Sequence, residues 1–357
     1  HRKMKLLISV GTRPNFIKIT RFKSVAAAFG IGLEIVHTGQ HYDQNMANVF
    51  FDQFDLRPDH IISLKEKGAS GQVGEMVVEL SKLIAQIKPD VVLTPGDVNS
   101  TLAAGIAANK MGVPLAHLES GLRSQDRTMP EEINRILVDE ISDFLFVTEP
   151  SGLRNLEHHG VPSNRVHFVG NTMIDTLVAF QPKIEASSIL EHHHIAPGKF
   201  VLMTMHRPAT VDNAQGLQMV IDVIKSIAPL KVVFPIHPRT MARFEAFGLK
   251  QEVLGLSNLI ISEPMGYFDF QKLVAEAQYI LTDSGGIQEE STFKQVPCIT
   301  IRPNTERPIT CEIGTNQLVK SNVETILAAI ESIDTSNAKI PELWDGYATE
   351  RVLKAFQ

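Results

Sequence analysis

In ILTDSGGIQEESTF, residues 280 to 293, an apolar run stops at Asp283 and Ser284, Gly285 and Gly286 stand ahead of a polar, helix-capable segment. Those residue types suit a phosphate. Two glycines remove the Cβ atoms that hold a ligand off the backbone, and they tolerate the φ > 0 geometry that aims several N–H groups at one anion. Ser284 can add a hydroxyl. A helix starting at Gly286 or Ile287 would contribute its unsatisfied N–H groups and its dipole. Glu289 and Glu290 lie one turn further in, where a carboxylate can accept hydrogen bonds from ribose hydroxyls. The plainer alternative is that Gly-Gly ends a strand and both glutamates are solvated first-turn acids.

A second phosphate candidate is GTRPNFIK, residues 11 to 18, with Arg13 at the end of a strand, Pro14 at a helix start and Lys18 about one turn on. Acids form another set. Asp97 in TPGDVNST and Glu119 in HLESGLRS each follow an apolar run and precede a loop or helix, the position where open α/β sheets bind ligands. Asp97 could instead cap a helix. Glu119, flanked by His117 and Arg123 with Gly121 between, reads as part of a shaped loop. Pro130 starts a further helix, with Glu131 and Glu132 in its first turn. In the second half, His206, Arg207, His237, Arg239, Arg302 and Arg307 follow strands and are expected to make that edge cationic. No metal set is expected. Three consecutive histidines, 192 to 194, cannot all face one ion on a helix, and the pair His117 and Glu119 lacks the C-x-x-C partner of a zinc deaminase.

Apolar runs must carry these residues. KLLISV, LEIVHTG, VVLTP, PLAHL, DFLFVT and RVHFVGN alternate with helical stretches in the first half, including Pro14 to Phe29 and 68 to 88. KFVLMT, KVVFPI, LIIS, QYILT and PCITI do so in the second, which predicts two parallel sheets. At 357 residues the chain is long enough for two cores, and 43% hydrophobic with 21% charged residues is a globular balance. The expected division is 1–172 with a returning helix at 346–357, then 173–345. Segment 172 to 198 reads as helical and then loose, and 39 to 46 as a polar loop. A net charge of −6 disfavours a general nucleic-acid groove. Two cysteines, Cys298 and Cys311, make no disulfide framework, so a reducing cytoplasm is the simpler expectation. With no apolar run near ~18 residues and no signal-like segment, neither a membrane span nor export is expected.

Taken in order, GTRPNFIK, TPGDVNST, HLESGLRS, MPEEINR, MHR, DSGGIQEE and TERP resemble the non-hydrolysing UDP-N-acetylglucosamine 2-epimerases, nearly end to end. The resemblance implies a glycosyltransferase-B-like α/β fold of two Rossmann-like, doubly wound domains facing a cleft. It implies a homodimer that needs no metal or nicotinamide cofactor. Its catalytic positions correspond to Asp97, Glu119, Glu131 and His206. Its substrate contacts correspond to Arg13, Lys18, Arg207, Phe270 near the uracil, the phosphate turn of Ser284, Gly285 and Gly286, Glu290 at the ribose, and Arg307. The chain departs from the commonest pattern at Pro208, Ala209, Thr210 and Met265. GQHYD also puts Asp43 where relatives regulated by their own substrate place a polar allosteric contact.

The reaction so implied is anti-elimination of UDP to 2-acetamidoglucal and re-addition with inverted C2, supplying precursors of surface polysaccharides. No carbonyl acidifies the C2 proton, and a positioned base contributes only about 10²–10⁴ in rate, so departure of the diphosphate must lead. The alternatives are a hydrolysing 2-epimerase that releases UDP and N-acetylmannosamine, or a glycosyltransferase on the same fold.

Overall fold

In the computed structural model, which describes residues 2–357, thirteen strands form two sheets. The first contains β1 (Lys5–Val10), β2 (Gly32–His37), β3 (His60–Ile61), β4 (Val91–Pro95), β5 (Leu115–Leu118), β6 (Phe144–Val147) and β7 (Val166–Phe168). The second contains β8 (Phe200–Thr204), β9 (Lys231–Pro235), β10 (Leu259–Ser262), β11 (Tyr279–Thr282), β12 (Cys298–Ile301) and β13 (Asn316–Val319). Strand orders are β3-β2-β1-β4-β5-β6-β7 and β10-β9-β8-β11-β12-β13, and the pairings are parallel. Helices cover both faces of such a sheet, so the strands read as continuous apolar runs. Alternate residues of β8 show this directly: Val201 and Met203 enter one core with Phe234 and Leu281, whereas Phe200 and Leu202 enter another with Val233 and Ile280.

Two compact units result, His1–Ala179 with Glu342–Gln357, and Phe180–Pro341. Each sheet reverses its strand order once, between β1 and β4 in the first and between β8 and β11 in the second. Loops leaving such paired strands diverge and open a crevice at their carboxyl ends. No helix among the described residues is long and apolar enough to cross a membrane.

Several local expectations change. Pro14 to Phe29 is two helices, Arg13–Ile17 and Phe22–Ala28, because the Ile17 carbonyl accepts the Thr176 hydroxyl instead of a helical N–H. Residues 39 to 46 are only partly loop: Asp43 accepts the N–H groups of Asn45 and Met46 at 3.0 and 3.1 Å and caps the helix Gln44–Gln53. The segment after Thr172 is helical at Thr172–Ala179 as expected, and the part expected to be loose carries two further short helices, Gln181–Glu185 and Ile189–His192, before the turns at 193 to 198. The helix Ala348–Lys354 closes the first unit, where buried Asp175 accepts Ala348 N–H at 3.2 Å, Thr349 N–H at 2.7 Å and the Thr349 hydroxyl at 2.6 Å.

Burial pushes the Asp175 carboxyl up to about 6 from 3.8, with the Thr349 and Ala348 donors opposing and the Glu350 charge adding. Between those values the folded chain keeps a proton that the unfolded chain has lost. This group's contribution to stability therefore falls as pH rises through that window. From pH 4.5 to 6.5 the wild-type urea midpoint is expected to drop relative to that of Asp175→Asn by the equivalent of roughly 2 kcal/mol. A gap that stays constant with pH contradicts the assignment.

Candidate active site

In the first unit the acids come from adjacent strand ends. β4 and β5 pair with Pro95 opposite Leu118, so Asp97 and Glu119 leave the same edge of the sheet. Asp97 is not the helix cap that its position allows: Val98 precedes the helix Asn99–Lys110, with no side-chain cap. Instead the Asp97 carbonyl accepts Asn134 Nδ2 at 2.9 Å, and its carboxylate lies 3.5 Å from Arg135 Nε. Asn134 and Arg135 stand three and four residues beyond Glu131 in the helix Pro130–Ile141. That spacing places Glu131 on the same helix face as Asn134 and Arg135.

Glu119 takes the left-handed conformation, φ +65°, which glycine adopts freely and a side-chain-bearing residue adopts at a cost of order 1–3 kcal/mol. The surroundings enforce it. Gly121, φ +80°, packs so closely on Gly152 that a Cβ would meet its carbonyl oxygen at 2.4 Å. Buried Asp139 accepts Gly121 N–H at 2.9 Å, Arg123 Nη1 at 2.7 Å and His117 Nδ1 at 2.7 Å. Burial alone would raise the Asp139 carboxyl, yet His117 and Arg123 together hold it below its ordinary range. The other His117 nitrogen lies 2.7 Å from the Gly96 carbonyl, so one network fixes the turns carrying both Asp97 and Glu119. The glutamate pair of PEEINR divides its duties: buried Glu132 accepts Ser124 N–H at 3.0 Å and Gln125 N–H at 2.7 Å, holding the loop, while Glu131 stays half-buried.

The two cations of GTRPNFIK also separate. Arg13 is exposed, its guanidinium 5.4 Å from the Phe50 ring centroid. Lys18 is buried and pairs with Glu119, a partner that the sequence reading did not anticipate.

In the second unit the Ser284–Gly286 turn sits at the other reversal of strand order. The helix runs Gly285–Lys294, beginning a residue earlier than expected, with Ser284 at its cap position and no cap bond from its hydroxyl. A Cβ at Gly285 would meet Arg307 Nη1 at 2.6 Å and Glu306 Oε1 at 2.9 Å, so a side chain there would have to displace that buried ion pair. At Gly286 a Cβ would touch only Glu290 Oε1, at an ordinary 3.7 Å. The bare backbone at Gly286 is therefore not demanded by packing, and it leaves room for a ligand against the helix N-terminus.

Glu289 and Glu290 are not solvated. Both are buried: Glu289 pairs with Arg307, and Glu290 accepts Gln271 Nε2. Burial pushes the Glu290 carboxyl up to about 7, Gln271 opposing, the Glu289 charge adding and Arg307 opposing. The expectation that Arg302 and Arg307 make the edge cationic is corrected. Each lies in a buried chain, Glu289–Arg307–Glu306–Arg302, whose two acids and two cations balance. The exposed basic side chains at this edge are His206, His237 and Arg239, with Arg207 half-buried. Phe270, in the helix Tyr267–Glu276, packs half-buried against the core beneath the helix Gly285–Lys294, where Ile287 also lies.

Residues 23–357 match the family model described as UDP-N-acetylglucosamine 2-epimerase. The UDP-N-acetylglucosamine 2-epimerase of Methanocaldococcus jannaschii is 38% identical, over 98% of each chain. The UDP-2,3-diacetamido-2,3-dideoxy-D-glucuronate 2-epimerase of Pseudomonas aeruginosa is also 38% identical, over 94% of this chain and 93% of its own. A crystal structure of the M. jannaschii enzyme in complex with UDP-GlcNAc and UDP superposes with a TM-score of 0.90 over 99% of each chain. Likeness over nearly the whole chain, on a glycosyltransferase-B-type pair of parallel sheets with acids at strand ends of one and a glycine turn at the strand-order reversal of the other, places it in the UDP-N-acetylglucosamine 2-epimerase family.

Proposed function

We propose that the protein interconverts UDP-N-acetylglucosamine and UDP-N-acetylmannosamine by eliminating UDP across C1 and C2 and adding it back. The observation that carries the reading is Glu119, forced into a left-handed backbone, paired with Lys18 and emerging beside Asp97. Strain maintained by so many contacts is typical of a group held for chemistry. A carboxylate takes the C2 proton, the C2–H electron pair becomes the C1–C2 double bond, and the C1–O bond breaks with its electrons leaving on UDP. Re-addition reverses each step from the opposite face of C2. Asp97, Glu119 and Glu131 serve proton transfer and favour the positive character that develops on the ring. The N–H groups at Gly285 and Gly286, with His206 and Arg207, receive the diphosphate charge.

Phosphorus NMR of the protein with UDP-N-acetylglucosamine tests the outcome. UDP-N-acetylmannosamine should appear without an equal build-up of UDP. Stoichiometric UDP with free N-acetylmannosamine would instead mark hydrolysis. Equal identity to relatives named for two different sugars supports a second reading, in which a 2,3-diacetamido uronate is the substrate, and the same spectra taken with that nucleotide sugar decide between them.

Glu290 is assigned to the ribose. Two hydroxyl donors favour an ionised carboxylate, so nucleoside binding must lower a group that starts near 7 and release a proton. Affinity for uridine, which has no phosphate to confuse the titration, is expected to tighten between pH 6 and 8, by up to about tenfold per pH unit below the raised value. Glu290→Gln should flatten that slope. Wild-type affinity independent of pH contradicts the assignment.

A further inference from the structure

We propose that Asp283 is a positioning residue that sets the orientation and the tautomer of His206, an inference that rests on the proposed role of His206 at the diphosphate. The two residues leave β8 and β11, which are neighbours at the reversal of strand order, with Thr204 opposite Thr282. The Asp283 side chain is wholly buried, yet the His206 ring that it holds is 61% exposed. The contact therefore anchors an otherwise free surface ring from below. Asp283 accepts the backbone N–H of His206 at 3.1–3.2 Å, the backbone N–H of Arg207 at 2.9 Å and His206 Nδ1 at 2.9 Å. Around it, Thr204 and Thr282 hydroxyls meet at 2.7 Å, and Thr282 Oγ1 accepts Ser284 N–H at 2.9 Å. The Asp283 carboxylate thus ties the histidine loop to the end of β11, from which the turn at Ser284 continues.

The hydrogen bond on one imidazole nitrogen decides what the other can do. With Nδ1–H committed to Asp283, Nε2 is the nitrogen directed outward, able to accept in the neutral ring and to donate in the charged one. An unanchored exposed ring would have to surrender its rotamer freedom on every turnover. Asparagine cannot substitute fully. Its single oxygen can face the ring or the Arg207 N–H, and its NH₂ group then opposes a donor on the other side.

The test begins on the wild-type protein. Long-range proton–nitrogen spectra of the histidine rings, with His206 assigned by the His206→Gln variant, are expected to show the neutral ring protonated on Nδ1. In Asp283→Asn the proton should redistribute toward Nε2, with kcat falling about 10²-fold and KM changing less than about 3-fold. A wild-type neutral ring protonated on Nε2 overturns the proposal, as does an Asp283→Asn enzyme with unchanged kcat and tautomer. If the variant fails to fold, the wild-type spectrum still decides. If the wild-type protein turns over no UDP-sugar, the functional reading fails, while the spectrum continues to report on Asp283.

Discussion

Glu119→Gln is expected to slow exchange of the substrate's C2 proton about 10³-fold, while UDP affinity stays within a few-fold. Glutamine keeps the shape that the left-handed position requires but cannot carry a proton away. UDP affinity should persist because the diphosphate is assigned to the turn at Gly285 and Gly286, which belongs to the other compact unit. The variant leaves Lys18 buried without its carboxylate, so part of any loss could be stability. The double variant Lys18→Met, Glu119→Gln removes both charges and separates the effects. If exchange remains slow in a double variant that melts close to wild type, the loss is chemical. Exchange near the wild-type rate in either variant would remove Glu119 from the reaction.

Arg307→Met is expected to destabilise the second unit by about 3–5 kcal/mol. Arg307 holds Glu289 and Glu306, and all three side chains are buried. Removing it leaves a net negative charge inside the protein, directly behind Gly285. The same substitution should therefore also weaken UDP binding. Thermal unfolding with and without UDP separates support from direct contact: a large drop in the ligand-free protein shows Arg307 holding the turn in place. A melting point unchanged without UDP, with affinity lost, would make it a phosphate ligand alone.

Much of this was legible because parallel strands buried on both faces write themselves as apolar runs, and the residues that end those runs lie along one edge. Asp97, Glu119, His206 and the Ser284–Gly286 turn were placed just beyond strand ends in that way. Partners distant in sequence were not legible. Nothing in GTRPNFIK indicates that Lys18 turns inward to Glu119, because the helix breaks on a hydroxyl from Thr176. Adjacent glutamates look alike in PEEINR and QEE, yet about 100° around a helix separates them, and only the fold assigns Glu132 to a loop or Glu289 to Arg307. Asp139 carries no motif of its own, although it fixes the turns of two acids. Asp283 was visible only as the end of a strand, and its role depends on β8 lying beside β11.

The most direct test of the chemistry is incubation of the protein with UDP-N-acetylglucosamine in heavy water, with the sugar protons followed by NMR. Reversible elimination requires deuterium at C2 of the UDP-N-acetylmannosamine formed and its gradual entry into the remaining UDP-N-acetylglucosamine. UDP-N-acetylmannosamine that retains its original C2 hydrogen would contradict proton exchange through a protein carboxylate, and with it the roles given to Asp97, Glu119 and Glu131.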